Sequence, residues 1–294
     1  MDFSDFLEVF RKFDDMDSNE INNLIQSMEE IIDRDQMLIE IRDGRDLIFV
    51  GDLHGDFKTL LSVIKIFLDE NHKHIVFLGD YVDRGFADNQ IKTVNALLLL
   101  KKFFPEKVFL LKGNHEWKFI NAEYGFKEAI FHHLIPILFH RYNELFEKLP
   151  IAVNVKTPKI FGVHGGIPVS NGKKPYSLKD IAKIPKKNCF DNEIAQQILW
   201  NDPDEKINDI EKNHRGLGYI FGIKPFKKFM NHNNLKYCIR SHEVMKKGNG
   251  NCFNGKLITV FSSKSYGRRV KPNILIIDEN KRFEFRKIKK EKLY

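Results

Sequence analysis

Two carboxylates and an arginine stand close together in residues 79–85, whose sequence is GDYVDRG. This stretch follows an apolar run, residues 75–78, that predicts a buried strand. Asp80 and Asp83 offer oxygen ligands to divalent cations, and the planar guanidinium of Arg84 suits a phosphate group. Open α/β sheets bind ligands at the carboxyl ends of their strands. The stretch therefore predicts a site for metal ions and a phosphate group at the end of this strand.

Five loops along the chain carry side chains that bind metal ions, and each loop follows a β-like run. The candidate ligands are Asp52, His54, Asp80, Asn114, His164 and His242. Imidazole, carboxylate and amide donors together suit manganese, iron or zinc better than calcium. Six ligands are too many for one catalytic ion that must keep a water, but they suit two ions that share a carboxylate. The pattern therefore predicts two divalent metal ions, with manganese preferred and iron or zinc as alternatives.

Strand, polar loop and helix recur three times, with strands predicted at residues 47–50, 75–78 and 108–111. This order is typical of parallel βαβ units. Residues 151–155 and 160–163 predict a hairpin, and the short β-like runs that follow predict a largely antiparallel sheet. We expect an α/β fold in which two packed mixed β-sheets are flanked by helices.

The first 44 residues predict helices, because apolar residues recur at helical spacing behind Asp17 or Ser18 as a cap. We divide the chain into this helical segment, residues 1–44, and a catalytic body over residues 45–294. The segment is strongly acidic although the whole chain has a net charge of +8. Packing on the body is the preferred interpretation, and an acidic docking face is the alternative.

The composition, 42% hydrophobic and 30% charged residues, is that of a soluble globular protein. No apolar run is long enough to span a bilayer, and the acidic N-terminus differs from a signal peptide. A cytoplasmic location is therefore expected, and the three separated cysteines predict no disulfide framework. The basic tail at residues 286–292 is interpreted as a solvated end of the last strand, with nucleic-acid binding as the less favoured alternative.

Several motifs occur together and in a fixed order. GDLHG, GDYVDRG and GNHE begin at residues 51, 79 and 113, and they resemble the signatures of the PPP-type metallophosphoesterases. Within that group the chain resembles the protein serine/threonine phosphatases of types 1, 2A and 2B. LWNDPD from residue 199, RGLGYIFG from residue 215 and RSHE from residue 240 agree with this resemblance. It covers about residues 45–277 and implies the calcineurin-like metallophosphoesterase fold.

The resemblance also implies a role for each matching residue. It assigns the first metal to Asp52, His54 and Asp80, and the second to Asp80, Asn114, His164 and His242, with Asp80 bridging. Arg84 and Arg215 would grip the phosphate oxygens. His115, paired with Asp83, would be the general acid, and Tyr266 would line the site.

The expected reaction is metal-dependent hydrolysis of phosphoserine and phosphothreonine in proteins. The two ions would lower the pKa of a water, so that hydroxide attacks phosphorus, and His115 would protonate the leaving alkoxide. Phosphoproteins are the expected partners. Neither a membrane nor nucleic acid is expected to be one, and the sequence names no regulatory protein.

Two other functions compete with this one. A dinucleoside-polyphosphate hydrolase would share the first three motifs, but the later motifs argue against it. A non-catalytic scaffold is disfavoured because no ligand is missing. The chain departs from the family at Ser241, where many relatives have alanine, and at residues 262–267, which lack a cysteine beside Tyr266. The end of the chain soon after the last strand indicates a core-only, prokaryotic-style member.

Overall fold

The computed structural model describes residues 1–14, 17–170, 172, 174–267 and 269–289. Within them the helices are α1 (Phe3–Asp14), α2 (Ser18–Arg34), α3 (Phe57–Asp69), α4 (Ala87–Phe103), α5 (Lys118–Asn121), α6 (Phe126–His133), α7 (Ile137–Glu147), α8 (Leu178–Ala182), α9 (Glu193–Trp200) and α10 (Ile223–His232). The strands are β1 (Leu38–Ile41), β2 (Leu47–Val50), β3 (His74–Phe77), β4 (Val108–Leu110), β5 (Ala152–Val155), β6 (Ile160–Val163), β7 (Asp202–Pro203), β8 (Ile210–Lys212), β9 (Tyr219–Phe221), β10 (Tyr237–Arg240), β11 (Asn249–Cys252), β12 (Leu257–Val260), β13 (Asn273–Ile277) and β14 (Phe283–Lys287).

Five strands form one sheet in the order β14-β13-β2-β3-β4. β2, β3 and β4 are parallel neighbours, and α3 and α4 lie between them in the chain. The three predicted βαβ strands are therefore confirmed. β13 pairs antiparallel with β2, so the late strands β13 and β14 extend the sheet that the early strands begin.

Six strands form the second sheet in the order β1-β5-β6-β10-β12-β11. The predicted hairpin is confirmed, because β5 and β6 pair antiparallel. The prediction of a largely antiparallel sheet in the second half of the chain is wrong, because β10 pairs parallel with both β6 and β12. Strand direction depends on long crossover connections, and a short apolar run does not reveal it.

The two large sheets pack face to face, and β2 shows how. Leu47 and Phe49 lie in the apolar core between the sheets, whereas Ile48 and Val50 lie in the core beneath the helices. All four side chains are fully buried, because both faces of this strand are covered. The predicted α/β fold, with two packed mixed sheets flanked by helices, is confirmed.

A third sheet of three short strands, in the order β7-β9-β8, was not predicted. β9 pairs parallel with β7 and antiparallel with β8. Strands of two or three residues are too short to show the alternation by which a strand is predicted. This sheet matters for function because Asp202 lies in β7 and Arg215 lies between β8 and β9.

The N-terminal helices pack on the five-stranded sheet's helical layer. Phe6 and Met28 are fully buried in the same apolar core as residues of α3 and α4. The predicted cap Asp17 is confirmed, because its side chain accepts hydrogen bonds from the backbone N–H groups of Asn19 and Glu20. Two helices, rather than one, occupy this stretch.

The prediction of helix throughout residues 1–44 is wrong at β1. Leu38–Ile41 forms an edge strand that pairs parallel with β5, with Leu38 opposite Ala152. Pairing with a strand so distant in sequence overrides local helical preference, since propensity is a weak determinant beside tertiary contacts.

The predicted basic tail begins inside β14. Arg286 pairs with Glu70 at 2.6 Å, so part of its charge is used within the protein. Residues 290–292 of that tail lie outside the described residues. Among the helices of the described ranges, none is long and apolar enough to cross a membrane.

Candidate metal centre and active site

The predicted ligand loops end at one side of the sandwich. Asp52, Asp80 and Asn114 follow β2, β3 and β4, whose carboxyl ends lie side by side because these strands are parallel. His164 and His242 follow β6 and β10, a parallel pair in the other sheet. Loops from both sheets therefore meet at the carboxyl ends of their strands, where α/β proteins place their sites.

Asp80 lies at the centre of this meeting point. Its Oδ2 atom is 3.3 Å from Nε2 of His164, 3.5 Å from Nε2 of His54 and 4.0 Å from Nε2 of His115. Burial works to raise the pKa of Asp80, but the positive charges of His164, His115 and His54 outweigh it and hold the pKa well below the ordinary value. An ionised carboxylate thus faces imidazole rings on both sides.

Donor atoms converge on one side of Asp80. Nε2 of His164 lies 2.9 Å from Oδ1 of Asn114 and 3.1 Å from Nδ1 of His242. Nδ1 of His164 donates its hydrogen to the carbonyl oxygen of Leu78 at 2.9 Å, so Nε2 of the neutral ring keeps its lone pair. Lone pairs this close repel one another unless a cation, a proton or a metal ion, lies between them. The donor set therefore fits a metal ion.

A second group of donors lies on the other side of Asp80. Nε2 of His54 is 3.8 Å from Oδ2 of Asp52, and Nδ1 of His54 donates to the carbonyl oxygen of Val82 at 2.8 Å. That hydrogen bond turns Nε2 toward the carboxylates, as outer partners of metal ligands do. All six predicted ligands are buried, and the structure brings them into two neighbouring groups that share Asp80.

The backbone packs closely around Asp80. An added Cβ on Gly113 would lie 2.2 Å from Oδ1 of Asp80, so only glycine fits there. The N–H of His115 donates to the same oxygen at 3.0 Å, which leaves Oδ2 to face the other donors. His54, Asp80 and His242 have left-handed backbones, with φ of +46°, +56° and +67°. Such strain persists where surrounding contacts hold it, and it is common at functional sites.

His115 and Asp83 form a hydrogen-bonded pair at the edge of the site. Nδ1 of His115 is 2.6 Å from Oδ2 of Asp83, whose Oδ1 accepts the N–H of Phe126 at 3.0 Å. Burial works to lower the pKa of His115, but the charge of Asp80 and the bond to Asp83 outweigh it, so the pKa is raised. A protonated ring here can give a proton to a leaving group. His115 also lies close enough to His54 and Asp80 to serve as a metal ligand, so the geometry allows two roles.

Tyr266 and the two predicted arginines surround this centre. The hydroxyl of Tyr266 lies 3.3 Å from Nε2 of His54. Burial, with the charges of the nearby carboxylates, raises the pKa of Tyr266, while the charges of Arg84 and Arg215 oppose that rise. Both arginines are therefore close enough to act on the same hydroxyl. The guanidinium of Arg84 also lies 4.3 Å from the ring centre of Tyr124.

Glu116 organises the site, although the sequence assigned it no role. Its oxygens accept three backbone hydrogen bonds, each 2.8 Å long, from Asp80, Tyr81 and Gly113. Burial, reinforced by the charge of Asp80, raises the pKa of Glu116 to about 7. Glu116 thus ties the second motif loop to the third. Its place in the GNHE motif was the signal that could have identified it.

Asp202 is a second organising residue that the sequence did not assign. It accepts hydrogen bonds of 2.8 Å from Nε of Arg215 and from a terminal nitrogen of the fully buried Arg240. Burial works to raise the pKa of Asp202, but the charges of Arg240, His242 and Arg215 hold it far below the ordinary value. One carboxylate therefore connects the RGLGYIFG motif to the RSHE motif.

The fold and the two donor groups define a protein of the metallophosphoesterase class, and comparisons with known proteins agree. The family model described as calcineurin-like phosphoesterase matches residues 46–246. A protein phosphatase 2A catalytic polypeptide of Dictyostelium discoideum is 31% identical over 280 residues, which are 95% of this chain and 87% of that protein.

A further curated relative and a solved structure extend the comparison. The serine/threonine-protein phosphatase PP2A-like PPG1 of Candida albicans is 34% identical over 220 residues, 74% of this chain but only 51% of that protein, so the chain spans about half of that relative's length. A structure described as a protein serine/threonine phosphatase from Saccharomyces cerevisiae with similarity to human phosphatase PP5 superposes with a TM-score of 0.80. It is 23% identical, covers 93% of this chain and 90% of that one, and shows the shared fold.

This chain therefore belongs to the calcineurin-like phosphoesterase family, in its branch of serine/threonine protein phosphatases. The resemblance predicted from the ordered motifs is confirmed.

Proposed function

We propose that the protein hydrolyses phosphoserine and phosphothreonine in proteins, with two divalent metal ions held on either side of Asp80. The observation that carries this proposal is the shared carboxylate, whose Oδ2 lies within 4.0 Å of Nε2 atoms of His54, His115 and His164. The names of the curated relatives support the substrate class, since both are protein phosphatases.

The donors divide into two ligand sets around that carboxylate. One ion is held by Asp52, His54 and Asp80, and the other by Asp80, Asn114, His164 and His242. Bound divalent ions neutralise phosphate charge and make a water acidic enough to act as nucleophile near neutral pH. Manganese is the preferred ion, and iron or zinc would accept the same nitrogen and oxygen donors.

The chain's own side chains carry the remaining chemistry. Arg84 and Arg215 bind the phosphate oxygens, because a guanidinium fork matches them in shape and charge. His115 gives its Nε2 proton to the leaving serine or threonine oxygen, and Asp83 keeps that ring protonated and oriented through Nδ1. Tyr266 lines the site and contacts His54.

Two variants test the ligand and acid assignments separately. Wild-type protein, stripped by a chelator and reloaded with manganese, should contain two ions per chain by elemental analysis and should regain turnover of a phosphoserine peptide. Asp80→Asn should hold at most one ion, because both groups lose a ligand. His115→Asn should keep two ions while kcat falls by about 100-fold.

Other results would contradict the proposal in distinct ways. Loss of an ion in His115→Asn would make His115 a ligand rather than the acid. A higher kcat/KM on a dinucleoside tetraphosphate than on the phosphopeptide would replace the substrate class. Restoration of activity by iron or zinc, but not by manganese, would change only the preferred metal.

The same proposal includes the organisation and setting of the chain. We assign the catalytic domain to residues 45–294 and treat residues 1–44 as a segment that stabilises it, supported by the burial of Phe6 and Met28. A cytoplasmic location is supported by the three cysteines, which are free thiols. Phosphoproteins are the proposed partners.

A further inference from the structure

Ser241 contacts the backbone and the side chain of Asp52 at once. Its Oγ atom accepts the N–H of Asp52 at 2.8 Å and lies 2.5 Å from Oδ1 of the same residue. The carbonyl oxygen of Val260 is a second acceptor, 2.7 Å away. A hydroxyl has one hydrogen, and the shorter contact, to a charged oxygen, is the stronger hydrogen bond. The hydroxyl of Ser241 therefore donates to the carboxylate of Asp52.

A second donor reaches the same carboxylate oxygen. The backbone N–H of His242 donates to Oδ1 of Asp52 at 3.0 Å. Two donors on Oδ1 fix the rotation of the carboxylate, and Oδ2 is left to face Nε2 of His54 at 3.8 Å. Neighbouring residues of the last motif thus orient a proposed ligand that belongs to the first motif.

The surrounding backbone holds Ser241 in this position. Ser241 is fully buried, and its N–H donates to the carbonyl oxygen of His164 at 2.9 Å. An added Cβ on Gly51 would lie 2.6 Å from Oγ of Ser241, so the space that the hydroxyl occupies depends on this glycine. The hydroxyl therefore has one defined place, between β10 and the loop that follows β2.

We propose that Ser241 is a positioning residue of the metal centre, whose hydroxyl holds Asp52 with Oδ2 turned toward the ion that Asp52 and His54 bind. This inference rests on the proposed metal centre. Outer partners that orient metal ligands typically contribute 10–100-fold to metal affinity. We therefore expect the hydroxyl to matter for binding one ion, and to have little effect on binding of the phosphopeptide.

Ser262 provides a matched control. It is also fully buried, and its Oγ accepts the N–H of Gly51 at 2.9 Å and donates to the carbonyl oxygen of Asn273 at 2.6 Å. Its hydroxyl thus supports the same loop through backbone atoms, one residue before Asp52. Removing either hydroxyl should lower the melting temperature of the metal-free protein, but only removal of the Ser241 hydroxyl should loosen the carboxylate.

The test is a calorimetric titration of metal-free, full-length protein with manganese chloride. Ser241→Ala should bind one of the two ions about tenfold or more weaker than wild type, and Ser262→Ala should bind both ions as wild type does. In turnover assays, Ser241→Ala should need more manganese for half-maximal activity. Its KM for the phosphopeptide should match that of wild type once manganese is saturating.

Three outcomes would overturn this role. Wild-type manganese affinity in Ser241→Ala would exclude it, and an equal loss in Ser262→Ala would reduce it to general support of the loop. Absence of manganese binding by the wild-type protein would instead overturn the metal centre itself. If Ser241→Ala does not fold, Ser241→Thr and Ser241→Val form a pair of equal volume. Only the threonine variant should bind manganese as wild type does, and equal affinities would exclude a role for the hydroxyl.

Discussion

Nδ1 of His115 lies 2.6 Å from Oδ2 of Asp83, and both side chains are buried beside Asp80. The two residues come from different motif loops, which follow adjacent parallel strands. The contact leaves Nε2 of His115 directed at the carboxylate of Asp80, 4.0 Å away. This pair therefore joins the proposed proton donor to the proposed metal centre.

Asp83→Asn should lower kcat by about 100-fold and move the alkaline limb of the pH profile to lower pH. The charge of Asp80 and the bond to Asp83 raise the pKa of His115 against the effect of burial. A general acid must be protonated, so kcat falls as pH rises through that pKa. Without the charge of Asp83 the pKa is lower, and the fall begins at lower pH. The measurement is kcat against pH on a phosphoserine peptide at saturating manganese.

The control for this prediction is His115→Asn, in which the alkaline limb due to His115 should be missing. An unchanged limb in Asp83→Asn would show that Asp83 does not set the protonation of His115.

Arg215→Lys should lower kcat/KM about tenfold or more, because hydrogen bonds to charged groups contribute about 1.5–3 kcal/mol and lysine lacks the planar fork. Asp202→Asn should act in the same direction, since Asp202 accepts the Nε hydrogen of Arg215 at 2.8 Å. Steady-state kinetics on the phosphopeptide would measure both effects.

A matched arginine exists outside the site. Nε of Arg45 donates to Oδ2 of Asp43 at 2.7 Å on the exposed surface, so Arg45→Lys breaks the same kind of pair. It should leave kcat/KM unchanged. Equal losses in Arg45→Lys and Arg215→Lys would remove the case for a phosphate contact at Arg215.

Glu116→Gln should destabilise the metal-free protein by about 1–3 kcal/mol. The amide nitrogen of glutamine would face a backbone N–H group where a carboxylate oxygen of Glu116 now accepts one. Burial and the charge of Asp80 raise the pKa of Glu116 from 4.5 to about 7. The folded protein thus binds this proton more tightly than the unfolded chain does.

The sign of the pH effect follows from that raised pKa. The contribution of Glu116 to stability is fully present below about pH 4.5 and is lost as pH rises to about 7. Urea unfolding of the metal-free protein at several pH values would show this loss in wild type. Glu116→Gln should lack that part of the pH dependence, and an identical pH dependence in the two proteins would contradict the assignment.

Phe10→Ala should lower the free energy of unfolding by about 3–5 kcal/mol, as other large aromatic truncations in cores do. Phe10 is 2% exposed, and its ring centre lies 5.2 Å from that of Phe57 on α3. The control is Phe86→Ala, because Phe86 is 84% exposed and exposed substitutions change stability by about 0.5 kcal/mol or less. Similar denaturant midpoints for Phe10→Ala and wild type would show that the N-terminal segment does not stabilise the domain.

The candidate ligands could be predicted from sequence because each lies directly after an apolar run. Asp52, Asp80 and Asn114 required only the recognition of strands and of the glycine-bearing turns that follow them. Their helices and hairpins form largely through local patterns, so most predicted elements agree with the structure within one or two residues.

Other features depended on contacts between distant parts of the chain. Leu38–Ile41 resembled the end of a helical segment until its pairing with β5 was known. The parallel pairing of β10 with β6 and β12 likewise has no local signature. Neither the direction of these strands nor their division between two sheets could be obtained from short apolar runs.

By itself, the sequence determined the family, the order of the motif loops and the identity of the donor residues, because residue types at short spacing carry that information. Only the tertiary structure showed that Glu116 accepts hydrogen bonds from two motif loops, that Asp202 joins Arg215 to Arg240, and that Ser241 holds Asp52. These contacts join residues that are distant in sequence or that belong to different loops. Their distances depend on how the two sheets pack, which no single stretch of the chain encodes.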